Sequence, residues 1–459
     1  MDKEILFETA KPSKAVVSMA IPTILAMMVK VVYNLTDTAF VALMKSETAL
    51  AAVGIGMPLI MMVGSIETIL SVGSSVLAGR QLGAKDKEGA NTIVSSIYAF
   101  SAALGVIFCV GGFTLMEPML RAFGASETVM PQAKQYATWM FVMFLASIPT
   151  QCLNMAARAE SAAKISSVAV IVGVVLNVVL DPIFMFNWGF GMGVEGAALA
   201  TCISQFVTAA ILFGFYFSGR SIIKIRLKNI ELKWKLLKTV TATGVPTATT
   251  MFFAAMSLAL INVAASSLPD SDFIIAANSV VQKLVLIGYQ TIIGFITGYQ
   301  PVAAYYFGAK NSVQFMEAQN FALKTAILIG LIEAAIFASL SEYFIMLFNQ
   351  NPSVVDYGSK LLISQTILLP VFALVFLFTI NFQVIGSVKY GVFLSIIRQG
   401  LFFAPVITVA VDLFGAPGLY LTQPIADVLT SVVCVSSYSM MNRTMLKKID
   451  DDSQSEPTA

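Results

Sequence analysis

Residues 15–43 read AVVSMAIPTILAMMVKVVYNLTDTAFVAL, and the way this run resolves decides the fold. About 20 apolar residues wound as a helix cross the roughly 30 Å hydrocarbon core of a bilayer, and this run is longer than that. Within it stand Lys30, Asn34 and Asp37, at i, i+4 and i+7, on one helical face. An ionisable group inside a span costs about 2.5–3.5 kcal/mol on insertion scales, so each one retained there points to function.

The rest of the chain repeats the pattern. Of 459 residues, 57% are hydrophobic and only 12% charged, with a mean hydropathy of +0.82, where a soluble domain carries about 25% charged residues. Apolar stretches long enough to span recur along the whole length, and backbone groups in hydrocarbon must be paired within the protein, so the fold class is an all-α polytopic membrane protein. The net charge of +2 is spread over short loops and indicates no nucleic-acid partner. Cys109, Cys152, Cys202 and Cys434 all fall in apolar spans, which argues against a disulfide framework or a metal cluster, and histidine is absent. The opening MDKEILFETAKPSK lacks the apolar core and cleavage site of a signal peptide, so the first span is expected to be retained.

Twelve spans are predicted, over 14–43, 48–78, 90–115, 133–158, 164–187, 193–217, 238–264, 273–306, 317–345, 357–384, 390–412 and 418–441. An even number places both termini on one side. Twenty Lys and Arg lie on that side, seven of them in the 218–238 connection, against four opposite, namely Lys45, Arg121, Lys134 and Lys360. The positive-inside rule therefore makes both termini cytoplasmic.

The chain also repeats itself. Pro22-Thr23 recurs as Pro246-Thr247 after 224 residues, and Gly83-Ala84-Lys85 recurs as Gly308-Ala309-Lys310 after 225. Phe123 meets Phe348 at 225, while Gly193 and Gly196 meet Gly415 and Gly418 at 222. A fixed period of this kind marks a duplicated unit. The reading is an N-terminal lobe over 1–218, a basic cytoplasmic linker over 219–238, a C-terminal lobe over 239–441 and a disordered cytoplasmic tail over 442–459. Two six-helix lobes in the same orientation are related by a pseudo-twofold axis along the membrane normal, a layout of alternating-access transporters.

The polar residues of the spans cluster in the first lobe. LNVVLDP places Asn177 and Asp181 at i and i+4, with Pro182 loosening the helix beyond, while Asn154 and Thr201 occupy the fourth and sixth spans. Two carboxylates facing each other can share a proton, or with the amide and hydroxyl oxygens they can form a cage for a small cation such as Na⁺. The repeat places Ile261 opposite Asp37 and Ala404 opposite Asp181, so the second half lacks both acids. That asymmetry favours an ion site over a symmetric structural role.

AIPTILAMMVKVVYNLTDTAFV in the first span, LNVVLDPIF in the fifth, RQGLFFAPV in the eleventh and QPIAD in the twelfth resemble the multidrug and toxic compound extrusion (MATE) family. The likeness covers nearly the whole chain and is to the bacterial DNA-damage-inducible F-type and related multidrug branch. It implies a multi-pass exporter of the bacterial inner membrane, working as a monomer with H⁺ or Na⁺ as the coupling ion and no other cofactor. Its partners would be cationic or amphipathic small molecules and membrane lipids. The resemblance assigns coupling to Asp37, Asn177 and Asp181, with Asn154 and Thr201 accompanying, and the candidate Na⁺ ligands are Asp37, Asn177, Asp181 and Thr201. The sister branch uses acids of the seventh and tenth spans, of which this chain has only Asp356, near the mouth of the tenth.

Lys30 departs from the family pattern, which has a small or amide residue there; it either serves as a counter-ion to Asp37 or lines a wet vestibule and snorkels. Tyr33, Asn34, Glu67, Lys283, Arg398 and Asp427 complete the set of candidate tuning or substrate-contact residues, with Arg398 and Asp427 able to pair within the second lobe or to meet substrate or lipid headgroups. Glu333 and Asp412 are further charges of the spans. The 23 Met and 33 Phe suit packing, lipid contact and, near a cleft, a promiscuous pocket. A flippase for lipid-linked saccharides is the alternative function and would need a strongly cationic cavity. No nucleotide loop, metal-ligand set or activated nucleophile points to an enzyme.

Overall fold

The computed structural model describes residues 6–44 and 46–454. Lys3 and Lys45 of the charge tally and residues 455–459 of the tail lie outside them. Twelve long helical elements run through the described residues. The first six are α1 (Pro12–Leu43), α2 (Glu47–Gly83), α3 (Lys87–Thr114), α4 (Met130–Ala159), α5 (Ala163–Met185) and α6 (Val194–Phe217). Then follow α7 (Trp234–Ser266), α8 (Ser271–Gly308), α9 (Ser312–Ser339), α10 (Pro352–Val384), α11 (Val388–Phe414) and α12 (Ala416–Gln454). Each predicted span falls largely on one of them; the ninth, 317–345, runs past the end of α9 at Ser339 into a short helix, Ser341–Met346. The tenth is broken between Thr366 and Leu369, just ahead of Pro370, and the eleventh has a π-helical segment over Ile397–Phe402.

The internal repeat is visible in the backbone. Lys85 and Lys310 both adopt left-handed φ values, 62° and 55°, directly after α2 and α8. Each is followed by the cap of the next helix: Asp86 accepts from Gly89 N at 2.8 Å, and Asn311 from Gln314 N at 3.0 Å. These side chains satisfy donors that a helix start leaves unpaired. Gly193 and Gly415 have matching dihedrals, φ 62°, ψ −134° and φ 64°, ψ −135°, in a region that a Cβ disfavours. Leu115 and Leu340 end α3 and α9 with near-identical angles, and each leads into a short helix, Met116–Ala122 or Ser341–Met346.

The chain divides into two compact units. One holds residues 1–8 and 25–244, the other 9–24 and 245–459. The divisions therefore fall within α1 and α7, two residues after Pro22 and two before Pro246, where the sequence reading puts the whole of α1 in the 1–218 lobe. In the first unit α7 starts close against α2: a Cβ on Gly73 would collide with Val240 O, and one on Gly244 with Ile69 O. In the second unit the first half of α1 runs against α8, where a Cβ on Gly298 would collide with Ala20 Cα. Such small residues let helices approach closely where no hydrophobic force drives them together.

Residues 219–238, read as a linker, are an ordered part of the first unit. The buried Glu160 carboxylate accepts from Ser221 Oγ at 2.8 Å and from Ile223 N at 2.8 Å. Lys224 N, Arg226 N and Glu231 N then donate to Asn91, Ser95 and Ser96 along α3, at 2.6, 3.2 and 2.8 Å. Residues 442–454, read as disordered, continue α12 to Gln454; Met, Leu and Lys in this stretch are good helix formers.

Candidate functional site

Helix α5 shows how the sequence aims its polar groups. Ala169, Gly173, Asn177 and Asp181 recur every fourth residue and are all buried, whereas Val172, Val175 and Val179 on the opposite face are 41, 53 and 52% exposed. An apolar face toward lipid forces the polar stripe inward. Asp181 is fully buried and Asn177 is 3% exposed.

Asn177 Nδ2 donates to Asp181 Oδ1 at 3.1 Å and to Thr201 Oγ1 on α6 at 3.2 Å, and Thr201 donates to Ala197 O at 3.0 Å. Tyr33 of α1 lies beside Thr201 and within electrostatic reach of Asp37, Asp181 and Tyr136. Asp37, one turn beyond Tyr33, and Asp181 also feel each other's charge. The structure thus gathers Tyr33, Asp37, Asn177, Asp181 and Thr201 in the first unit, with Tyr136 of α4 beside them. Asp181 Oδ2 and Asn177 Oδ1 are buried oxygens without a hydrogen-bond partner among the described residues. Buried acceptors of this kind are costly, since over 90% of buried polar groups find a partner.

Tyr136 was not singled out in the sequence. Its signal in the sequence is a phenol inside an apolar span, a group that needs a polar neighbour when buried. Asn154 lies elsewhere than expected. Its amide donates to Ser166 O at 3.2 Å and accepts from Ser166 Oγ at 3.1 Å, and Arg158 Nε donates to the same hydroxyl at 2.9 Å. Ser166 precedes Asn177 by eleven residues, about 16 Å along a helix. The physical reason is the short turn after α4, which brings the last turns of α4 against the first turns of α5.

Lys30 is exposed, and its acidic neighbour is Glu67 of α2 rather than Asp37; Glu67 also accepts from Ser147 Oγ at 2.6 Å. Asn34 is exposed, and Lys283 is partly buried. Glu333 hydrogen-bonds Thr291 across α9 and α8. Asp356 is exposed and pairs with Lys360 at 2.7 Å, and Asp412 is exposed.

In the second unit the π-helical segment carries Arg398. Its Nε lies 2.6 Å from Asp427 Oδ1, its Nη2 is 3.3 Å from Oδ2 and 2.7 Å from Tyr289 Oη. Gln423 donates to Asp427 Oδ1 at 2.9 Å, and the guanidinium stands 5.0 Å from the Phe372 ring centre and 5.5 Å from that of Tyr289. Both charges are buried, at 6 and 1% side-chain exposure. This cluster is saturated with mutual partners.

A duplicated bundle of membrane-spanning helices, with ionisable groups buried within the spans of both halves, is the architecture of a polytopic transporter. A family model described as MatE matches residues 22–183 and again residues 246–409, and the chain belongs to that family. The two matches begin 224 residues apart, at Pro22 and Pro246. The chain is 25% identical over 431 residues, 94% of each chain, to "Multidrug export protein MepA" of Staphylococcus aureus strain NCTC 8325 / PS 47. Its fold matches a structure titled "Crystal structure of MATE in complex with MaL6" with a TM-score of 0.91 and 25% identity, covering 97% of this chain and 100% of that one. A structure titled "Outward-facing conformation of a multidrug resistance MATE family transporter of the MOP superfamily" matches with a TM-score of 0.90 and 25% identity, over 97 and 99% of the two chains.

Proposed function

We propose that this protein is a secondary active multidrug exporter of the bacterial inner membrane, coupling inward movement of H⁺ or Na⁺ to expulsion of cationic or amphipathic small molecules. Membership of the family and the likeness to a multidrug export protein support the transport class. One observation supports the coupling site: Asp181 Oδ2 and Asn177 Oδ1 are buried and without a donor among the described residues, and Asp181 stands within reach of the Asp37 charge.

Asp37 and Asp181 take up the ion. The half-buried Asp37 and the buried Asp181 repel, and a proton or a small hard cation relieves both that repulsion and the unmet acceptors. Asn177 orients Asp181 through the 3.1 Å bond, and its other donor hydrogen holds Thr201. Tyr33 and Asp37 both lie on α1, so ion uptake at Asp37 acts directly on that helix, which carries Pro22 inside it. The ion drives the cycle only through its differential affinity for the two access states. The monomer is the transporting unit and both termini face the cytoplasm.

The test uses purified protein in liposomes loaded with a fluorescent cationic dye. Efflux is followed under an imposed pH gradient and then under an imposed Na⁺ gradient, for wild type, Asp37→Asn and Asp181→Asn. Efflux driven by one gradient in wild type, and lost in both folded variants, is expected. Gradient-driven efflux at the wild-type rate in either variant refutes the assignment.

A further inference from the structure

The strapped connection and the ends of α2 and α3 form a second, unassigned feature in the first unit. A groove of about 280 Å³ is lined by Leu77 and Gln81 of α2, Ile93 of α3, and Lys233, Lys235, Leu236 and Thr239 around the start of α7. Leu77, Ile93 and Leu236 make its floor apolar, while two ammonium groups, an amide and a hydroxyl make its rim polar. All these elements begin or end at one membrane face: α2 ends at Gly83, α3 starts at Lys87 and α7 at Trp234.

The chain leading into the groove has a matching composition. Leu227, Leu232 and Trp234 are 88, 73 and 76% exposed, large apolar side chains turned out on a segment that also bears Lys224, Arg226, Lys228, Lys233 and Lys235. Exposed Trp and Leu interleaved with Lys and Arg belong at the headgroup level of a bilayer, where the apolar parts enter the acyl boundary and the cations meet lipid phosphate. The hydrogen bonds to Glu160, Asn91, Ser95 and Ser96 fix this segment in place, so the cations are arrayed in advance of any ligand.

We propose that this groove is a binding site for one anionic phospholipid of the surrounding leaflet, its phosphate held by Lys233 and Lys235 and its acyl chain lying along Leu77, Ile93 and Leu236. Charge complementarity selects the occupant: Lys233 and Lys235 make the rim cationic, and Glu231 holds Lys233 at 2.7 Å until a phosphate competes for it.

Native mass spectrometry of the full-length protein, titrated with phosphatidylglycerol or with phosphatidylcholine of the same acyl chains, tests the site. Phosphatidylglycerol is expected to bind at least about tenfold more tightly, and Lys233→Gln/Lys235→Gln to weaken it by about fivefold for each charge removed, the equivalent of ~1 kcal/mol per cation at a membrane surface. The control pair Lys224→Gln/Lys228→Gln removes the same charge outside the groove and is expected to change binding less than about twofold. Lys233→Arg/Lys235→Arg keeps the charge and retains binding, which separates loss of the site from loss of the fold. Equal weakening by the control pair, equal binding of phosphatidylcholine, or displacement of lipid by inorganic phosphate at similar concentration overturns the proposal.

Discussion

Removing the Asp427 carboxylate alone leaves the Arg398 guanidinium buried at 6% exposure with no counter-charge. At an effective dielectric of about 20, opposite charges about 4 Å apart attract by about 4 kcal/mol. Burying the two ions costs several kcal/mol each, so the intact pair is close to neutral for stability, whereas breaking it costs about 3–5 kcal/mol. Asp427→Leu is therefore expected to destabilise by about 3–5 kcal/mol. The double variant Arg398→Met/Asp427→Leu is expected to recover most of this. It still leaves the Tyr289 hydroxyl and the Gln423 amide short of the partners they have at 2.7 and 2.9 Å, at about 1 kcal/mol each. Unfolding titrations with sodium dodecyl sulfate in mixed micelles measure all three proteins on one scale. An Asp427→Leu variant within about 1 kcal/mol of wild type, or a double variant as unstable as the single one, refutes the ion-pair accounting.

Other consequences follow from single residues. Gly415→Ala, at φ 64° and ψ −135°, is expected to cost about 1–3 kcal/mol, read in the same titration; a neutral result refutes the requirement for glycine there. Lys134 and Arg121 hold the Glu117 carboxylate down to about 2 from its ordinary 4.5. A lowered value means that its stabilising contribution is full above 4.5 and fades as the pH falls toward 2, so wild type and Glu117→Gln are expected to converge in melting temperature over that interval and to differ by a constant small amount above it. Divergence on acidification refutes the pairing. Finally, Arg398→Met/Asp427→Leu, compared at equal amounts of folded protein, is expected to retain gradient-driven dye efflux in the liposome assay that Asp181→Asn loses. Loss in both places coupling in the second unit as well.

The fold was legible because its signals are cheap to read. Length and hydropathy give the spans, and Gly83-Ala84-Lys85 with Gly308-Ala309-Lys310 give the repeat, since a left-handed Lys and a capping Asp or Asn recur at the same place. The acids of α1 and α5 were legible because a carboxylate in a span has few bland explanations. What sequence could not give was which partner each polar group meets. Asn154 turned to Ser166 because a turn of a few residues folds α4 back on α5, Lys30 found Glu67 on α2, and Tyr136 joined the site from α4. Each of these depends on the packing of one helix against another, and no periodicity within a single helix encodes it. The 219–238 connection misled for a related reason: its charges read as a solvated linker, yet its backbone donors are met by Asn91, Ser95 and Ser96 on a helix over a hundred residues earlier.

The duplicated scaffold sharpens the functional argument. Positions related by the repeat share backbone form but differ in chemistry: where α1 and α5 carry Asp37 and Asp181, the second half has Ile261 and Ala404. The second unit is not devoid of charge, since Arg398 and Asp427 lie deep within it, but there donors and acceptors are matched, with Asp427 receiving Arg398 and Gln423. In the Asp37–Asp181 cluster of the first unit, Asp181 Oδ2 and Asn177 Oδ1 remain unmet among the described residues. A saturated cluster resists a visiting cation, because uptake must first break the bonds it has. An unsaturated one gains from the visitor outright, and a gain of that kind is what a coupling ion needs in order to favour one access state over another. On the proposed coupling role, the same contrast would separate the two clusters, one holding helices together and the other open to a visiting ion.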